Sequence, residues 1–84
     1  MTYKFEKNRI YSEDDNGKLV AEVTFPETES GVFTIDHTFV DDSLRGQGIA
    51  NELVSLAVKQ IKERGGVVKA TCSYAMHWLE KNPQ

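Results

Sequence analysis

Apolar and polar positions alternate along the first forty residues, and then the period changes. From Lys18 to Phe25, Leu19, Ala21, Val23 and Phe25 alternate with Lys18, Val20, Glu22 and Thr24. A period of two predicts a strand with one apolar face. A shorter strand is predicted around Arg9 to Ser12. Between them, Asp14-Asp15-Asn16-Gly17 is a turn signal, because Asn-Gly tolerates the positive φ of a type I′ hairpin. Pro26 to Gly31 reads as the next turn. Val32 to Val40 predicts a third strand, with Phe33, Ile35, His37 and Phe39 on one face and Thr34, Asp36 and Thr38 on the other. The first half therefore predicts an antiparallel meander.

In the second half, Ile49, Ala50, Leu53, Leu56, Ala57 and Ile61 recur at helical spacing. Asn51, Glu52, Ser55, Lys59, Lys62 and Glu63 fall on the wet side. Gly65-Gly66 ends this helix, as glycine does at a C′ position. Val67 to Cys72 predicts a short strand, and Tyr74 to Lys81 a last short helix stopped by Asn82-Pro83. Strand, helix and strand in about thirty residues form a βαβ crossover, which makes the two strands parallel. The expected architecture is one α+β domain over residues 1–84, a meander feeding a βαβ unit with a short C-terminal helix.

Composition narrows the function classes. Ten Lys and Arg stand against thirteen Asp and Glu, for a net charge of −3. Nucleic acid is not expected as a partner, since phosphate backbones attract a basic field. The single cysteine, Cys72, permits no intramolecular disulfide and fits a reducing, cytoplasmic setting. No run reaches the length of a membrane span. Two His and one Cys lack metal-ligand spacing, so no metal is expected. A sheet this small leaves edges that a second copy could cover, so a monomer or weak homodimer is expected.

The chemistry concentrates in Leu44-Arg45-Gly46-Gln47-Gly48-Ile49-Ala50, between a strand and the best helix. Glycine costs a helix about 1 kcal/mol relative to Ala, so two at a helix start call for a reason. A helix N-terminus offers unpaired N–H groups and partial positive charge. Glycines let an oxyanion approach that backbone, and Arg45 adds a forked cation. The combination predicts a phosphate site; the competing account is a helix start with glycines that ease packing. A P-loop would need G-x-x-x-x-G-K-S/T, and no Lys follows the glycines. A dinucleotide fingerprint would need Gly or Ala where Asn51 stands, and an acidic residue at the end of Val67 to Cys72.

Arg45 to Ala50 matches Q/R-x-x-G-x-G/A, the signature of the GNAT superfamily of acyl-CoA-dependent N-acetyltransferases. From about Asn8 to Pro83 the chain resembles that superfamily, and in His37-Thr38, Leu44 to Ala50, Cys72 and Asn82-Pro83 it is similar to a small GNAT-like subgroup of about this length. The resemblance implies a minimal GNAT-like fold. It implies that Arg45, Gly46, Gln47, Gly48, Ile49 and Ala50 hold the pyrophosphate of acetyl-CoA. It further implies that backbone groups of Phe39 and Val40 meet the pantetheine arm, which would lie where Val32–Val40 and Val67–Cys72 splay apart. An amine, on a small molecule or a protein, would be the acceptor. Typical members carry elements ahead of the meander that help build the acceptor site, and this chain has little room for them. Tyr74 lies near the place of a general-acid tyrosine in such proteins.

Two residues are candidates for chemistry. Cys72, beside the expected acyl group, could attack a thioester and form an S-acyl intermediate; otherwise it is a small buried hydrophobe. His37 could serve as the base that acyl transfer needs; otherwise it is a satisfied core histidine. Lys59, Lys62 and Lys69 could meet a distal CoA phosphate or form a solvated face. Trp78 and Tyr74, four apart, are expected to pack on the sheet. Three functions stay open: an N-acetyltransferase with an acyl relay through Cys72, a non-catalytic acyl-CoA-binding or sensing module, and a protein-interaction domain with structural glycines.

Overall fold

The computed structural model describes all 84 residues, Met1 to Gln84. Seven strands and two helices follow in order: β1 (Lys4–Glu6), β2 (Arg9–Glu13), β3 (Leu19–Thr24), β4 (Glu27–Glu29), β5 (Val32–Ile35), β6 (His37–Val40), α1 (Ile49–Glu63), β7 (Val67–Ala70) and α2 (Ser73–Lys81). A 3-10 turn, Asp42–Leu44, leads into the glycine-rich loop. The strands form two sheets. One is antiparallel, in the order β1-β2-β3-β6; the other runs β4-β5-β7, with β5 and β7 parallel across the α1 crossover. The expected meander and βαβ unit are both present, and no helix is long and apolar enough to cross a membrane.

α1 keeps its predicted wet side, and its core stripe is Ile49, Leu53, Val54, Ala57, Val58 and Ile61. Val54 and Val58 are buried, whereas Ala50 and Leu56 are only half-buried, so the stripe is rotated slightly from the predicted one. It packs on Ile10, Ala21, Val23 and Phe25 of the first sheet region and on Phe33 and Ile35 of the second. Each fully buried aliphatic or aromatic side chain here contributes about 1.5–3 kcal/mol. The helix ends in a Schellman motif. Gly65, at φ +73°, donates its N–H to the Lys62 carbonyl (2.9 Å), and Gly66 donates to that of Ile61 (2.9 Å).

Three expectations are corrected. The turn after β2 is not type I′, because only Gly17 has positive φ (+80°) and Asn16 does not. Instead the Asp14 carboxylate accepts from the N–H groups of Asn16 and Lys18, both at 2.9 Å, and an irregularity at Ser12/Glu13 absorbs the extra residue. Within Pro26 to Gly31, Glu27–Glu29 pairs with β5 as a strand. Most consequentially, Val32 to Val40 is two strands in two sheets. The Asp36 N–H donates to the Thr24 carbonyl (3.2 Å), while Thr24 is also the ladder partner of His37. Two residues facing one is a β-bulge, and it resets the alternation.

The α1–β7 junction gives a test. A Cβ on Gly66 would stand 2.7 Å from Phe33 Cδ1 and 3.1 Å from Ile61 Cγ2. Gly66→Ala should cost about 1–3 kcal/mol through overpacking, read as a lower urea midpoint with an unchanged m-value. Unchanged stability would show that Phe33 moves aside freely.

Candidate functional site

The bulge at Asp36 opens the site. Up to Ile35 the chain pairs with β7; from His37 onward it pairs with β3, and β6 and β7 are edge strands that do not pair with each other. β7 leaves the sheet at its own end, where the N–H groups of Thr71 and Cys72 both donate to the Ile35 carbonyl, at 3.0 and 3.2 Å. A gap therefore separates β6 from Cys72. Asp41 donates its N–H to the Val20 carbonyl (2.8 Å). Since hydrogen-bonded and non-bonded pairs alternate along an antiparallel ladder, the backbone groups of Phe39 turn into β3, and those of Val40 and Thr38 turn into the gap. Of the two residues expected to offer backbone there, Val40 alone does so.

At the apex of the gap stands Cys72, half-buried and immediately before the first residue of α2. Its thiol donates to Thr38 Oγ1 at 3.5 Å, which bridges the two diverging chains. Burial pushes the thiol pKa up. The amide of Ala75, the Thr38 hydroxyl and the amide of Tyr74 outweigh it and hold the pKa below the ordinary thiol value. No hydrogen bond of capping geometry joins Sγ to α2, so the amides act as oriented dipoles at a helix N-terminus. The sulfur is thus more ionised at neutral pH than a free cysteine.

The sequence reading gave Thr38 no role at the site, because simple alternation turns it away from the core. The bulge turns it and Val40 toward the core side, beside Val23 and Ala21, and sends His37 and Phe39 to the opposite face, beside Thr24 and Glu22. The available signal was an acidic residue, Asp36, inside an otherwise β-favouring run. His37 does not lie on the apolar face. Its side chain is 52% exposed, and its Nε2 lies 3.3 Å from Glu22 Oε1. Glu22 also receives the Arg9 guanidinium, which lies 3.8 Å over the Tyr11 ring.

The other end of the gap is the glycine-rich loop. Gly46 and Gly48 have φ of +80° and +73°, a region costing other residues about 1–2 kcal/mol. Nothing lies within 4 Å of where either Cβ would be. Gly48 precedes α1 and no side chain caps the helix, so the first amides of a 15-residue helix remain free. Arg45 Nε pairs with Asp42 Oδ1 at 2.9 Å, with both side chains mostly exposed. Such a pair is worth little and exchanges readily. A cavity of about 180 Å³ lies here, walled by Arg45, Gly46, Gly48, Ile49 and Ala50, with Val40 and Tyr74 opposite. Gln47 is exposed and does not line it. Tyr74 is 40% exposed and lines this cavity, so only Trp78 of the expected aromatic pair packs against the core. The arrangement suits an elongated ligand, anionic at the loop and electrophilic at the thiol.

Comparison with known proteins gives the family. The model of the GCN5-related N-acetyl-transferase family matches residues 9–84. The chain belongs to the GCN5-related N-acetyltransferase family. A GCN5-like protein from Staphylococcus aureus is 36% identical, with a TM-score of 0.79 over 96% of this chain and 79% of its own. A ribosomal-protein-alanine N-acetyltransferase from Brucella melitensis is 27% identical, with a TM-score of 0.58 over 90% of this chain and 62% of its own. Nourseothricin acetyltransferase shares the fold at 22% identity and a TM-score of 0.63, with 87% of this chain covering 46% of that one. The chain thus spans less than two thirds of the last two of these proteins. Comparison with the curated proteins gives no match.

The Thr38–Cys72 contact is testable without any ligand. Thr38→Val removes the hydroxyl that would donate to the thiolate, so the pH midpoint of Cys72 alkylation by iodoacetamide should rise, and Thr38→Ser should restore it. An unmoved midpoint in Thr38→Val would leave the backbone amides of Ala75, Tyr74 and Thr38 as the cause of the lowered value.

Proposed function

We propose that this protein binds acetyl-CoA and transfers the acetyl group to an amine. The observation that carries the reading is the uncapped α1 N-terminus, with two left-handed glycines facing open space, at one end of a gap that has an activated thiol at the other. These residues fit the ligand. The amides of the Arg45–Ala50 loop suit a pyrophosphate, with Arg45 exchanging its surface partner Asp42 for phosphate oxygens. Unpaired backbone of Val40 suits the amides of a pantetheine arm, as an edge strand suits an added strand.

When bound, the thioester supplies an activated acyl carbonyl. Cys72 as thiolate attacks that carbon; its S–C bond forms as the C–S bond to CoA breaks, and CoA leaves as a thiolate that takes up a proton. The acceptor amine then attacks the acyl-Cys72 carbon, the S–C bond breaks, and Cys72 recovers its electron pair. Thr38 steadies the thiolate before attack. His37 stands beside Glu22 on the face opposite Cys72, so solvent takes the proton the amine loses. The match to the GCN5-related N-acetyl-transferase family, and the likeness to a ribosomal-protein-alanine N-acetyltransferase, support the reaction class.

Calorimetric titration tests the binding. Acetyl-CoA and CoA should saturate a single site, while NAD and ATP should not. Gly48→Glu should abolish the heat with its circular dichroism unchanged, since a carboxylate then occupies the anion position in a strained backbone. No heat from any of them would remove the reading and favour a protein-interaction domain.

Mass spectrometry tests the relay. Acetyl-CoA should leave one acetyl mass on the wild type and none on Cys72→Ser. Saturable transfer to a panel of amines should persist at the wild-type rate in His37→Gln; a tenfold loss with binding intact would make His37 the proton acceptor after all. Binding without transfer to any amine would make the protein a sensing module.

A further inference from the structure

The outermost strand of the first sheet, β1, reads Lys4-Phe5-Glu6, and no strand pairs with its far side. The neighbouring ladders show which backbone groups that leaves free. The Phe25 N–H donates to the Asn8 carbonyl at 2.9 Å, continuing the register that pairs Arg9 with Thr24 and Ile10 with Val23. Bonded and non-bonded pairs alternate along such a ladder. Asn8 and Ile10 therefore turn their backbone groups to β3, while Arg9 and Tyr11 turn theirs to β1. Glu6 and Lys4 stand opposite Arg9 and Tyr11 and bond to them, whereas Phe5 stands opposite Ile10. The N–H and carbonyl of Phe5 thus point out of the edge of the sheet. The side chains divide in the same way. Phe5 shares the helix-bearing face with the fully buried Ile10, yet it is 53% exposed and lies outside the core. Lys4 and Glu6 lie on the other face. Within the chain, Lys4 reaches Glu13 at 3.0 Å and Glu6 reaches Arg9 at 3.4 Å, exposed pairs of a kind worth little.

We propose that β1 is a homodimer interface, at which two copies of this chain pair antiparallel about a two-fold axis between their Phe5 residues. Charge on an edge strand guards it against foreign strands. Here the guard carries both signs, placed symmetrically about an apolar residue, so the strand complements itself when reversed. Each Phe5 exchanges both free backbone hydrogen bonds with the other, and the two phenyl rings meet on the helix-bearing face. Each Lys4 stands opposite the Glu6 of the second copy. The charges also select the register. A slip of two residues sets Lys4 against Lys4 or Glu6 against Glu6, and like charges directly opposite destabilise a pair. A slip of one residue turns the phenyl ring of one copy to the charged face of the other. The union is one eight-stranded antiparallel sheet with both α1 helices on the same side. It leaves the β6 edge, which bounds the gap, open in each copy. Three residues a side bury little surface, so the dimer is weak and depends on concentration.

Sedimentation equilibrium of the full chain, from micromolar to millimolar concentration, tests the interface without any ligand. The wild type should pass from monomer to dimer within that range. Lys4→Glu and Glu6→Lys should each weaken self-association about tenfold or more, because two cross-strand pairs turn repulsive together. Mixed in equal amounts, these two variants should associate with each other, since the acidic strand of one then meets the basic strand of the other. The double variant Lys4→Glu/Glu6→Lys should dimerise like the wild type. Recovery in the mixture cannot arise from a folding defect in either variant. A wild type that stays monomeric up to millimolar concentration overturns the proposal. So does a dimer that both single variants form as readily as the wild type, or a mixture that associates no better than its components.

Discussion

The site depends on one extra residue in one strand. Asp36 and His37 both face Thr24, so the chain cannot remain in the sheet it entered. β5 stays with β7, and β6 joins β3. The divergence leaves two unpaired edges, which elsewhere would invite aggregation. Here they bound a gap with an anion-suited loop at one end and a thiol at the other. The same bulge decides which side chains meet. It brings Thr38 to Cys72 and sends His37 to Glu22 on the far face. Without it, the alternation of Phe33 and Ile35 would continue through His37 and Phe39, and Cys72 would face an unbroken strand.

Local dipoles, rather than net charge, carry the anion site proposed for this acidic chain. The net charge of −3 weighs against a polyanionic partner. It says little about a single phosphate group, because field strength at a helix end is set by the amides within one turn. Two such ends converge on the gap. The α1 terminus is bare, because Gly48 has no side chain to cap it; the α2 terminus is turned on the sulfur of Cys72. The first leaves backbone donors for something other than the protein's own side chains, at some cost to helix stability that packing of the apolar stripe offsets.

The helix and its loop were legible in the sequence because their signals are local and repeated. Ile49 to Ile61 carries the stripe, Gly65-Gly66 the stop, and Arg45 to Ala50 the signature. β1 and β4 were not legible. Lys4-Phe5-Glu6 and Glu27-Thr28-Glu29 are three residues each and wholly exposed, so no buried face writes a pattern into them. The face of His37 was misread for a different reason. Counting by twos assumes an unbroken ladder, and a bulge changes the count without changing the composition.

Gly66 has a wider consequence than closing a turn. Phe33 and Ile61 leave no space for a side chain there, so the C-terminal end of α1 is fixed against the sheet, while its N-terminal end carries the loop amides. The helix acts as a ruler between a fixed mark and a working edge. Each residue added or removed would slide that edge by about 1.5 Å and turn it by about 100°, aiming the amides away from the gap while every apolar residue beyond the change lost its place on the sheet. Length and phase are therefore a single constraint, and the chain can vary the composition of this helix far more freely than its count.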